Sequence, residues 1–175
     1  MIIIILIAIS LSMDAFSLSL AYGMYNFTKK EIITLSCLVG IFHVFMPLIG
    51  YLCGNVIFSF FKANSVIIVS LIFFLLGIEM LIDTFKKETK KTLKNIFEMI
   101  SFSLAVSIDS FTTGIGIISI TNNYMYSFII FGIFSFLFTF IGLYFGKYIG
   151  EKIGNYSTIL GAVILFIIAI YNLIK

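Results

Sequence analysis

Six uninterrupted apolar runs leave this chain almost no choice of fold. They cover residues 2–24, 33–58, 65–83, 96–119, 125–146 and 156–174. Each is close to the roughly 20 residues that cross a bilayer as a helix. Inside lipid only helices and closed barrels satisfy every backbone N–H and C=O, and unbroken runs lack the alternation of barrel strands. The expected fold is therefore all-α, a polytopic membrane protein with six transmembrane helices. Of the 175 residues, 61% are hydrophobic and only 11% charged, where a soluble domain carries about 25% charge. The polar stretches are too short to add a soluble domain. Met1-Ile2-Ile3-Ile4-Ile5 lacks a basic n-region and a small-residue cleavage site, so it reads as a retained span.

The lysines set the expected orientation. The first, third and fifth loops hold Lys29, Lys30, Lys86, Lys87, Lys90, Lys91, Lys94, Lys147 and Lys152, whereas Lys62 and Lys175 lie on the opposite side. The positive-inside rule places the richer side in the cytoplasm and both termini outside. Tyr22, Tyr25, Tyr124, Tyr126, Tyr148 and Tyr156 fall near span ends, as interfacial aromatics should. The net charge of +3 belongs to these loops, so it reports topology and not nucleic-acid binding. Cys37 and Cys53 lie 16 positions apart on one helix, too far to bridge each other, and read as packing residues.

A short motif occurs twice. Ser12-Met13-Asp14-Ala15-Phe16-Ser17 returns 95 positions later as Ser107-Ile108-Asp109-Ser110-Phe111-Thr112. At an offset of 92, Gly40-Ile41-Phe42-His43 with Gly50 and Gly54 overlays Gly132-Ile133-Phe134-Ser135 with Gly142 and Gly146. Ser65–Asp83 overlays Ser157–Lys175 at the same offset. The organisation is a first three-helix repeat at 1–84, a cytoplasmic linker loop at 85–95, and a second three-helix repeat at 96–175. Three spans per unit is odd, so the second unit is inverted relative to the first. Many secondary transporters share that architecture, with their sites at the midplane between repeats.

Each Asp motif puts a carboxylate near mid-membrane, at a cost of at least about 2.5–3.5 kcal/mol. Helical spacing groups Ser10, Asp14, Ser17 and Ala21 on one face, and Ala105, Asp109, Thr112 and Gly116 on the other, with Thr113 alongside. The bland reading is an Asp serving as interhelical glue. The sharper one is a pair of hard oxygen ligands with hydroxyls beside them, suited to Mg²⁺, Ca²⁺ or Mn²⁺. A second stripe, Gly40, His43, Pro47, Gly50 and Gly54, matches Gly132, Ser135, Thr139, Gly142 and Gly146. Its glycines read as a close-packing surface. His43, the one histidine, reads either as a metal ligand or proton shuttle, or as a neutral ring bonded to a hydroxyl. Glu79 is deep enough to guide a cation, Asp83 reads as an interfacial charge paired with lysine, and Glu98 falls three turns before Asp109. The expected metal set is Asp14, Asp109, Ser17, Thr112, Thr113, His43 and Glu79.

A dication neutralises two carboxylates, and so do two protons, so the two compete for one site. Moving a dication out against about 100 mV costs roughly 4.6 kcal/mol. Export therefore needs coupling, and two protons exchanged for one dication is electrically neutral. No ATP-binding motif is visible.

Leu11-Ser12-Met13-Asp14-Ala15-Phe16, Gly40-Ile41-Phe42-His43-Val44-Phe45-Met46-Pro47-Leu48-Ile49-Gly50 and Ser107-Ile108-Asp109-Ser110-Phe111 resemble the MntP-type manganese efflux pumps of bacteria. The similarity spans essentially the whole chain. It implies Mn²⁺ export across the bacterial inner membrane, with the family's essential aspartates falling on Asp14 and Asp109. Manganese is the transported substrate, protons and the lipid bilayer are the partners, and neither a cofactor nor an enzymatic activity is implied. A homodimer is compatible with this reading. The chain departs from the pattern at His43, where some members carry a carboxylate, near Glu79, where some carry a basic residue, and in a short loop after the third span. Competing classes are an intramembrane aspartyl protease, a sporulation-type structural membrane protein, and an exporter of another cation or of amino acids. Neither Asp has the glycine that usually precedes such a protease's aspartate.

Overall fold

Local capping chemistry marks the starts of two of the helices. The computed structural model describes residues 2–23, 25, 27–61, 65–85, 95–149 and 151–174. Helix α1 runs Ile2–Tyr22, α2 Lys29–Phe61, α3 Ser65–Phe85, α4 Ile96–Val106, α5 Ile108–Gly116, α6 Tyr124–Ile149 and α7 Glu151–Ile174. A 3₁₀ turn, Ile117–Ser119, follows α5. No strand occurs among the described residues. At the start of α2 the Thr28 N–H donates to Glu31 Oε2 at 2.7 Å, and the Glu31 N–H returns a bond to Thr28 Oγ1 at 3.3 Å. At α4 the Asn95 N–H donates to Glu98 Oε2 at 3.1 Å. Both are capping-box arrangements that satisfy donors a helix start leaves bare.

Four stretches among the described residues are long and apolar enough to cross a membrane: Ile2–Tyr22, Lys29–Gly54, Ile96–Gly116 and Tyr124–Gly146. A shorter apolar stretch, Ala162–Tyr171, lies in α7. Large side chains stand bare along the outer faces, among them Ile41, Phe45, Ile49 and Leu52 on α2, and Ile133, Leu137 and Ile141 on α6. An apolar surface of that extent suits lipid and not water.

The expected span at 96–119 is interrupted. Ser107 separates α4 from α5 with φ −100° and ψ 2°, outside helical geometry. Its hydroxyl donates to the Ser103 carbonyl at 2.6 Å, and the Ser110 hydroxyl donates to the Ser107 carbonyl at 2.6 Å. Such back-bonding competes with the helical ladder and bends it. The expected alignment of Ala105 with Asp109 is consequently lost, and Ala105 is exposed. Glu98 accepts the Asn95 N–H and so caps the start of α4.

Helix α1 packs on α6 and α7, α2 on α6, α4 and α5, and α3 on α7 and α5. Two apolar clusters result. One joins Ile7 and Leu11 to Phe73, Phe128, Phe131 and Leu165, toward the start of α1. The other joins Ala15 to Leu35, Val39, Met99, Phe102 and Val106, toward its end. Between them, near the middles of the spanning helices, Ser10, Ser12, His43, Ser107, Ser110, Thr113, Ser135 and Thr139 are buried. Lipid tails are as apolar as leucine, so association rests on close packing and polar contacts. The glycine stripes supply the packing: a methyl on Gly40 would lie 3.0 Å from the Gly132 carbonyl oxygen, and one on Gly132 2.8 Å from that of Gly40.

Cys37 and Cys53 are both unbridged, as the spacing requires, but both are exposed on the outer face of α2 and not packed inside as expected. Tyr126, Tyr148 and Tyr156 are exposed at helix ends. Tyr124 instead stacks on Tyr51 at 4.1 Å, and Tyr22 packs edge-on against Phe102. The side chains of Glu79, Asp83 and Glu151, and residues 86–94 of the expected linker, lie outside the described residues.

Candidate functional site

Asp109 sits in the first turn of α5, just after the break. The Ser110 N–H donates to its Oδ1 at 2.8 Å. A carboxylate there also faces the positive end of the helix dipole. The break thus gives Asp109 backbone donors that an unbroken helix would have spent on its own ladder. Thr112 Oγ1 donates to the Asp109 carbonyl at 2.7 Å, and Thr113 Oγ1 does so at 3.3 Å. Their hydroxyl protons are thus committed to the helix backbone, and each oxygen keeps its lone pairs as an acceptor.

Asp14 lies in the unbroken α1 and is half-buried, as is Ser17. Ser12, two residues before it, donates to the Ala8 carbonyl at 2.6 Å and lies 3.3 Å from Ser135 Oγ. Ser107, two residues before Asp109, occupies the equivalent place and meets His43, with its Oγ 2.9 Å from Nδ1. So Ser12 with Ser135, and Ser107 with His43, are the same contact made twice.

His43 is fully buried, and its Nδ1 also lies 3.0 Å from the Val39 carbonyl oxygen. A carbonyl only accepts, so Nδ1 carries the proton and Nε2 the lone pair. Among the described residues, Nε2 has no hydrogen-bond partner, and neither do the buried hydroxyls of Ser19 and Thr139. The hydroxyl-bonded histidine is thus present, but with one ring nitrogen bare.

Among the described residues, no three His, Cys, Asp or Glu side chains converge closely enough to hold a metal ion. A cation at this level would complete its shell with hydroxyls, carbonyls or water, as hard dications do. Ser12, Ser107 and Ser110 are not among the ligands expected from the sequence. Their signal is the Ser at two before each Asp, within a repeat already apparent.

A family model described as "Mntp: Putative manganese efflux pump" matches residues 26–173. The chain belongs to the manganese efflux pump family. It is 32% identical to the "Putative manganese efflux pump MntP" of Bacillus pumilus over 161 residues, covering 91% of this chain and 88% of that one. The proteins of the same name from Methanosphaera stadtmanae and Methanobrevibacter smithii are 34% and 33% identical, covering 94% and 95% of this chain and 94% and 93% of their own. No solved structure matches. This efflux pump family is one of membrane transporters, not enzymes, which removes the protease reading.

Proposed function

We propose that the chain exports Mn²⁺ from the cytoplasm through six spans built as two inverted three-helix repeats, exchanging it for protons at a mid-depth site formed by Asp14 and Asp109. Manganese comes from the relatives, which carry that cargo in their names. The observation that carries the rest is a set of matched contacts. Gly50 packs against the Phe111 carbonyl, and Gly142 against that of Phe16. Gly54 packs against Ile115, and Gly146 against Leu20. Each pair maps onto the other by the offsets of 92 and 95, with Gly40 and Gly132 meeting at the axis. These matched contacts support reading Asp14 and Asp109 as equivalent places, where a carrier built from repeats has its site.

Ser17, Thr112 and Thr113 add oxygen ligands, and Glu79 guides the ion from the cytoplasmic side. The protein sits in the cytoplasmic membrane with both termini outside. Two protons per dication make the cycle electroneutral, so the membrane potential does not oppose export. The test is cellular manganese, by elemental analysis, in a manganese-sensitive host under manganese load. Wild type lowers it and the Asp14→Asn, Asp109→Asn double variant, at matched membrane levels, does not. Equal manganese in both refutes the site. Efflux that is indifferent to a collapsed pH gradient refutes the proton coupling.

A further inference from the structure

We infer that His43 is a nitrogen ligand of the transported cation, and that it makes this carrier select first-row transition dications over Mg²⁺ and Ca²⁺. The inference rests on the export reading and adds a selectivity device to its site.

Three features of one residue carry it. First, Nε2 is fully buried at mid-depth and has no hydrogen-bond partner among the described residues. Buried polar atoms are rarely left so, because the loss of solvation is not recovered. Second, Nδ1–H is held by the Val39 carbonyl at 3.0 Å and lies 2.9 Å from the Ser107 hydroxyl, whose own proton goes to Ser103. A carbonyl on one ring nitrogen fixes the tautomer and leaves the other as a lone pair, which is how metal-binding histidines are oriented. Third, Pro47 has no N–H to give the carbonyl four residues back, which is that of His43. One residue thus offers a bare nitrogen and a carbonyl oxygen without its helical donor.

The surroundings keep that arrangement rigid. Gly114 brings the α5 backbone directly against Pro47, with no room for a side chain between them. Ser107 ties the imidazole to the break that positions Asp109 two residues later. That contact is made through Nδ1, so it fixes the ring relative to the segment carrying Asp109 while leaving Nε2 uncommitted. A nitrogen ligand is taken by first-row transition dications, Mn²⁺ the most weakly bound of that series, whereas Mg²⁺ and Ca²⁺ take oxygen shells. Carboxylates alone do not make that distinction. A nitrogen in the shell does.

Because the chain has one histidine, isotope labelling addresses this residue alone. The full chain, purified through a tag without histidine and placed in lipid nanodiscs, is loaded with Mn²⁺ and studied by pulsed electron paramagnetic resonance. A directly coordinated ¹⁴N modulates the electron spin echo, and growth on ¹⁵N-histidine replaces that pattern with the ¹⁵N one. In parallel, Mn²⁺ flux into proteoliposomes is measured against excess Mg²⁺ or Ca²⁺. The expected result is nitrogen modulation that follows the label, and a fall in Mn²⁺-over-Mg²⁺ selectivity of at least about tenfold in His43→Gln. Bound and transported Mn²⁺ without nitrogen modulation overturns the inference and leaves export standing. Unchanged selectivity in a folded His43→Gln overturns the selectivity claim. A wild-type protein that neither binds nor moves Mn²⁺ brings down the export reading, and this inference with it.

Discussion

Gly50→Ala separates backbone packing from side-chain packing in this fold. A methyl carbon on Gly50 would overlap the Phe111 carbonyl oxygen and lie 2.9 Å from its carbonyl carbon and 3.2 Å from its Cα. All three are backbone atoms, so no rotamer change relieves them. Helix α5 must retreat from α2 by roughly an ångström, and overpacking of this kind costs about 1–3 kcal/mol. Backbone on backbone belongs at the upper end, and alanine's better helix propensity returns about 1 kcal/mol. The net cost is about 2 kcal/mol. Gly54→Ala, one turn on, meets the Cδ1 tip of Ile118 at 2.9 Å first, a flexible end that can turn aside. Its remaining contacts with Ile115, at 3.1 Å, need only a few tenths of an ångström. The propensity gain then leaves it near neutral. At about 2–4 °C per kcal/mol for a chain of this size, the two variants should differ by about 4–8 °C in Tm. The assay heats purified protein in detergent and follows the monodisperse fraction by size-exclusion chromatography. If the two variants unfold within about 1 °C of each other, the α2–α5 seam is not held as described.

Other outcomes follow from the same contacts. Asp109→Asn keeps an oxygen for the Ser110 N–H, so the protein should fold and reach the membrane at wild-type levels while manganese efflux is lost; loss of the protein from the membrane would mean a structural role instead. Thr28→Ala removes the hydroxyl that accepts the Glu31 N–H and should lower stability by about 0.5–2 kcal/mol, read from the same thermal assay, with efflux retained. Tyr25 and Tyr126 are exposed at helix ends. Cysteine at Tyr126 should react with an impermeant thiol reagent in intact cells, and cysteine at Tyr25 only after lysis; the reverse would invert the proposed topology.

Sequence and structure divide the explanation along a physical line. Run length, lysine bias, the paired Asp motifs and the two glycine stripes are properties of local pattern, and they sufficed for an all-helical membrane protein. The stripes lie on buried faces at all ten positions, because 3.6-residue periodicity alone decides which residues share a face. The break at Ser107 was not legible. No glycine or proline marks it, and the hydroxyls of Ser107 and Ser110 take backbone carbonyls on either side of it. The register of Ala105 against Asp109 failed with it, since a periodicity argument assumes a continuous helix. The state of His43 was equally hidden. Its type and depth were plain in the chain, but which nitrogen holds the proton and which is bare depends on Val39 from its own helix and Ser107 from another. Those partners are 4 and 64 positions away. Only tertiary packing brings the second within bonding distance, and that contact ties the ring to the segment presenting Asp109.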